Sequence, residues 1–228
     1  MKKFIFPFAF AVLSCCAQPL LAQQARWDST YRPNNWALRV DMFKSFPNSG
    51  KDVIFLGNSI TAHIDWSELL QLPEARNRGI SGDITYGVLQ RLDEVIEGKP
   101  AKVFILIGIN DISRNIPDSI IISNYRKMVT RIQQGSPKTK IYLQTLMPVN
   151  NTFTQFKNHY NKDEHIAAIN AALKQIATES KVTLVDLHPH FLDSEGRLRK
   201  ELTHDGLHLT AAGYAVWAQV LKSGNYLK

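Results

Sequence analysis

Four runs of the chain are apolar almost without interruption: Val53-Ile54-Phe55-Leu56, Val103-Phe104-Ile105-Leu106-Ile107, Ile141-Tyr142-Leu143-Gln144-Thr145 and Val182-Thr183-Leu184-Val185. A strand with one face in water alternates apolar and polar residues, whereas a strand covered on both faces does not. These runs therefore predict strands inside a sheet with helices on both sides. A weaker fifth strand is expected over residues 75–78. Between the strands lie stretches of helical periodicity. Residues 85–97 carry Val88, Leu89, Leu92, Val95 and Ile96 on one face and stop at Gly98 and Pro100. Residues 119–134, 163–180 and 210–222 have the same pattern, with Ile122, Tyr125, Met128, Val129 and Ile132 facing inward in the first of them. A short amphipathic helix over 35–46, with Trp36, Val40 and Phe43 on one side, precedes the first strand. Strands alternating with helices of this length predict a parallel sheet of about five strands in a three-layer α/β/α, flavodoxin-like domain.

The N-terminus has its own pattern. Lys2 and Lys3 precede an apolar stretch, residues 4–17, that is short for a bilayer span, and Leu20-Leu21-Ala22 ends on a small residue before Gln23-Gln24. Residues 1–22 read as an export signal cut after Ala22, which places the protein in the periplasm or outside the cell, with lipid attachment at Cys15 or Cys16 as the alternative. Residues 23–50 then form an extension with a short helix, and 51–228 the main domain. Both cysteines of the 228-residue chain lie in the leader, so the cut chain holds no thiol or disulfide chemistry. Loss of Lys2 and Lys3 leaves 25 basic against 20 acidic residues, a net charge of +5. That charge is spread out and no nucleic-acid motif accompanies it, so no nucleic-acid partner is expected. No integral membrane span is expected in the mature chain.

In such a sheet, ligands bind outside the carboxyl ends of the strands, and polar blocks follow those ends here. Gly57-Asn58-Ser59-Ile60-Thr61 follows the first run. Arg78-Gly79-Ile80-Ser81-Gly82-Asp83 follows the weak strand, and Gly108-Ile109-Asn110-Asp111 follows the next. Thr203-His204-Asp205-Gly206-Leu207-His208 lies just before the last helical stretch. Each block alone reads equally as a turn or a helix cap. Together they bring a serine hydroxyl, a glycine N–H, an asparagine amide and an Asp-x-x-His pair to one sheet edge. The Asp-to-His spacing lets a carboxylate orient one ring nitrogen while the other faces a serine. His188-Pro189-His190 lacks a nearby carboxylate set of ligand spacing and reads as loop contacts rather than a metal pair. His63 and Trp66, close after the serine, are candidate pocket residues, as is Asn58. The chain has no phosphate-binding loop of the P-loop type and no G-x-S-x-G elbow.

These blocks resemble those of the SGNH, or GDSL-type, hydrolases, over a region from Asp52 to the C-terminus. They are similar to an acetylhydrolase-like branch that includes sialate O-acetylesterases and the catalytic subunits of platelet-activating-factor acetylhydrolase. Asn58 stands where the family's name-giving motif has Asp. The resemblance implies a serine esterase with Ser59 as nucleophile, His208 as base and Asp205 orienting it. The backbone N–H groups of Ser59 and Gly79 and the Asn110 amide would form an oxyanion hole. It implies neither metal nor organic cofactor. Its substrate would be an acylated small molecule or glycan, with a short acyl group, acetyl first, on carbohydrate. A lysophospholipase or lipase-type acylhydrolase is the alternative, and a non-catalytic carbohydrate-binding protein on the same fold is the rival from another class.

Overall fold

The computed structural model describes Met1 and residues 27–228, so the leader reading and both cysteines fall outside the described residues. Five strands form one sheet: β1 Val53–Gly57, β2 Ala75–Gly79, β3 Lys102–Leu106, β4 Lys140–Gln144 and β5 Thr183–Val185. Their order is β2-β1-β3-β4-β5 and every pair is parallel. That is the flavodoxin-like order, and the chain reverses its direction of travel across the sheet between β1 and β3. The first three apolar runs form buried strands β1, β3 and β4, whereas the fourth forms the edge strand β5, with Thr183 exposed and Leu184 half-buried.

The helices are α1 Trp36–Ser45, α2 Ser59–Ala62, α3 Trp66–Leu70, α4 Thr85–Gln90, α5 Leu92–Glu97, α6 Ile109–Ser113, α7 Asp118–Gly135, α8 Asp163–Ser180 and α9 Ala211–Ser223. Successive strand residues point to opposite faces, and on one face the sheet carries an aromatic row in register. Phe55 pairs with Phe104 and Phe104 with Tyr142, with ring centroids 5.0 and 4.3 Å apart. Trp66 of α3 stacks on Phe55 at 3.9 Å, and Trp217 of α9 meets Trp66 edge-on at 4.7 Å. Helix α7 packs against α4, α5 and α8, and its Tyr125 hydroxyl bonds the backbone of Ile107 just past β3. Trp36, Val40 and Phe43 of α1 bury against Ile80, just past β2.

Two expectations differ from what is observed. The helix expected over 85–97 is broken at Arg91 (φ −102°, ψ 9°), whose N–H is shared between the carbonyls of Gly87 and Val88. The break turns the guanidinium inward, where Nε meets Asp83 Oδ2 at 2.9 Å and Nη2 donates to the Gly57 carbonyl at 3.0 Å. In the run Ile120-Ile121-Ile122 at the start of α7, Ile121 is fully buried, while Ile120 and Ile122 are only partly covered. Periodicity alone cannot separate three adjacent isoleucines at the edge of the buried stripe.

Candidate active site

Ser59 is the first residue of α2, directly after β1, and Asn58 caps that helix by accepting Ile60 N–H at 3.0 Å. The serine therefore leaves the sheet edge at the reversal point between β1 and β3. His208 and Asp205 arrive on the loop before α9. Asp205 Oδ1 accepts the backbone N–H groups of Leu207 (2.9 Å) and His208 (2.7 Å), which curls the loop around the carboxylate. Oδ2 lies 2.7 Å from His208 Nδ1, and His208 Nε2 lies 2.9 Å from Ser59 Oγ. A carboxylate only accepts, so Nδ1 carries the proton and Nε2 is left to accept the serine O–H. Burial pushes the Asp205 carboxyl up, but the His208 ring and the two backbone N–H groups outweigh it and hold it below the usual carboxylate range.

Asn110 sits in the first turn of α6. Its Nδ2 donates to the Asp83 carbonyl at 2.9 Å, leaving its second amide hydrogen for the cleft. Asp111 anchors the same turn by accepting Thr85 N–H (3.0 Å) and Thr85 Oγ1–H (2.6 Å). Its full burial raises its carboxyl to about 7 against those bonds.

A cleft of about 310 Å³ opens over these groups, lined among others by Ser59, Asn110, His208, His63, Ser81 and Gly82. His63 stands at its rim, with Nε2 3.2 Å from Ser81 Oγ and its ring 5.1 Å from that of His208. Burial, then the neighbouring His208 and His204, lowers the His63 pKa.

Three expected site residues are placed elsewhere. Gly79 is not among the residues lining the cleft. Its N–H is taken by the Asn77 side chain at 2.8 Å, and a Cβ there would come within 2.4 Å of Ala62 N, so this glycine serves close packing of β2 on α2. The glycine of that block that lines the cleft is Gly82, held at φ +80°. Trp66 is buried in the aromatic core, with Nε1 bonded to the Thr61 carbonyl at 3.0 Å. Asn58 is spent on its capping bond and borders a small apolar hollow instead of the cleft.

The sequence reading also missed Ser113, Arg114, Phe156 and His159, which line the cleft. The last two belong to the long irregular stretch after β4; its length was the only signal, since unstructured stretches of that size are often functional. His188 Nδ1 bonds the Leu146 carbonyl at 2.8 Å, an ordinary loop contact. Among the described residues, His204, Asp205 and His208 are the grouping whose donor atoms lie close enough for a metal, within 4.8 Å of one another. There the bond between His208 and Asp205 already uses two of those side chains.

Residues 55–216 match the GDSL-like Lipase/Acylhydrolase family, and the chain belongs to it. It is thus an acylhydrolase of the esterase type. A rat protein, platelet-activating factor acetylhydrolase IB subunit alpha2, is 29% identical over 171 residues, covering 72% of this chain and 71% of its own. A solved Streptococcus pneumonia structure, described as a candidate platelet activating factor, superposes with a TM-score of 0.77 at 30% identity, covering 85% of this chain and 93% of its own. A candidate acylhydrolase from Bacteroides fragilis gives 0.75 at 27% identity, covering 87% and 100%.

Proposed function

We propose that this protein is a serine esterase that removes short acyl groups, acetyl first, from carbohydrate through an acyl-enzyme on Ser59. The observation that carries this reading is the relay Ser59–His208–Asp205, at 2.9 and 2.7 Å, in a cleft at the carboxyl edge of the sheet. Ser59 Oγ attacks the ester carbonyl as His208 Nε2 takes its proton. The oxyanion is met by N–H groups of Ser59, Gly82 and Asn110. His208 then returns the proton to the departing alcohol. Water, deprotonated by His208, cleaves the acyl-Ser59 ester and regenerates the hydroxyl.

Size supports a short acyl group. The apolar hollow beside the cleft, walled by Ile60, Leu106, Ile109, Leu146 and Met147, holds about 10 Å³, room for roughly one water. A long alkyl chain would have no buried apolar surface to gain there. The rat relative's name, an acetylhydrolase, supports the same choice. On the other side a polar groove of about 390 Å³ continues past Ser113 and Arg114 to Gln155, Lys157 and Asn158. Its donors and acceptors suit a hydroxyl-rich acceptor. Export by the leader over residues 1–22 would bring the enzyme to extracellular or periplasmic glycan. Among the described residues no helix is long and apolar enough to cross a membrane.

A series of p-nitrophenyl esters tests the acyl preference. The acetyl ester is expected to exceed the octanoyl ester in kcat/KM by about tenfold or more. Equal or faster octanoyl turnover would favour the lysophospholipase alternative.

A further inference from the structure

The loop after β4 reaches back over the relay at two points and over Asn110 at a third. Tyr160 Oη donates to the Asp205 carbonyl, Phe156 packs edge-on against the His208 ring at 4.9 Å, and His159 Nε2 lies 3.0 Å from Asn110 Oδ1. We propose that His159 is a positioning residue for the oxyanion hole: its Nε2–H grips the Asn110 amide oxygen and, with the Asp83 carbonyl on Nδ2, fixes the amide plane so that the remaining N–H faces the reacting carbonyl. This rests on the serine-esterase reading above.

The assignment of atoms follows from the partners. The Asp83 carbonyl can only accept, so it is the NH₂ group of Asn110 that faces it, at 2.9 Å, and the amide oxygen that faces the histidine. The ring nitrogen opposite that oxygen must therefore carry a hydrogen. His159 Nδ1 is buried with no hydrogen-bond partner, so the Asn110 contact at Nε2 sets the tautomer. Burial, then the charges of His208 and Arg114, bring this imidazole down to about 4, so it is neutral at neutral pH. An asparagine held at one edge only can rotate its amide, and a donor that must reorganise during the reaction loses part of its value. Phe156, edge-on to both His159 (5.7 Å) and His208, keeps the loop seated.

The test is steady-state hydrolysis of p-nitrophenyl acetate by the full chain and five variants: Ser59→Ala, Asn110→Ala, His159→Phe, His159→Gln and the double variant His159→Phe/Asn110→Ala. His159→Phe keeps the aromatic packing and removes the donor. It is expected to lower kcat by about tenfold with KM within about twofold, since the lost contact acts in the transition state. His159→Gln, which restores a side-chain N–H, should recover most of the rate. The double variant should be no slower than Asn110→Ala, because His159 acts only through that amide. Losses that add in the double variant, a glutamine no better than phenylalanine, or a change confined to KM would each overturn the proposal. If His159→Phe is poorly folded by thermal melt, the glutamine rate decides: activity near wild type supports the role and activity as low as Asn110→Ala overturns it. A Ser59→Ala variant as fast as wild type would instead overturn the esterase reading itself, whereas its collapse beside an unaffected His159→Phe removes only the role of His159.

Discussion

Replacing Ser59 with alanine is expected to lower kcat/KM for p-nitrophenyl acetate by about 10⁴–10⁶, with fold and stability nearly intact. The size follows from what the change removes. Ser59 Oγ meets His208 Nε2 in the folded protein, and on the proposed mechanism the alanine deletes the attacking atom while leaving His208, Asp205 and the Asn110 amide in place. Residual turnover would come from binding and the oxyanion donors alone. The pH profile carries further information. Asp205 has a depressed pKa in the folded chain, so its stabilising charge is present above the unfolded carboxylate value of about 3.9 and is lost only as pH falls through the folded value. Asp205 therefore stays ionised above about pH 4, and an acid limb in the kcat/KM profile at higher pH belongs to another group. A wild-type rate equal to that of Ser59→Ala across all acyl lengths would move the chain to the carbohydrate-binding alternative, and glycan binding would be measured next.

The parts of this fold that were legible in the sequence are those that physics makes redundant. Phe55, Phe104 and Tyr142 mark strand centres because burial on both faces forbids alternation, and the polar blocks after β1 and β3 mark the reversal point because ligand chemistry collects there. Ser59, Asn110 and His208 line one cleft at the sheet edge where the polar blocks lie, and Asp205 joins them through its bond to His208. What was not legible depends on orientation. Gly79 and Gly82 are both glycines beside a strand end, but only the backbone path shows that one N–H is consumed by Asn77 and that the other glycine lies in the cleft. Trp66 follows the serine by seven positions, and sequence distance says nothing of whether a ring turns to the cleft or, as here, onto Phe55. His159 reaches the site from a loop with no periodicity at all. Arg91 sits within an amphipathic pattern whose continuity hid a helix break.

Arg91→Ala is expected to destabilise the fold by about 3–5 kcal/mol, which for a chain of this size lowers Tm by about 10 °C. Arg91 and Asp83 pair at 2.9 Å with both side chains wholly buried, so deleting one leaves the other as an uncompensated charge. Burial already raises the Asp83 carboxyl above its ordinary value, and Arg91 is the first of the groups opposing that rise. A carboxyl raised in the folded state contributes stability that is present below the unfolded pKa of about 3.9 and is lost as pH climbs toward the folded value. Removing Arg91 raises the folded value further. The deficit of the variant against wild type should therefore be small near pH 4 and grow toward neutrality, which thermal melts at the two pH values would read directly. A deficit equal at both would mean that lost packing, not the stranded carboxylate, sets the cost. Adding Asp83→Asn to Arg91→Ala should recover part of the neutral-pH loss, because an amide tolerates burial better than a lone carboxylate. The pair also bears on catalysis. Arg91 holds the Gly57 carbonyl two residues before Ser59, and the Asp83 carbonyl holds the Asn110 amide. One buried ion pair thus fixes the strand end before Ser59 relative to the Asn110 amide, and on the proposed mechanism the folded fraction of Arg91→Ala should show a lowered kcat as well as a lowered Tm.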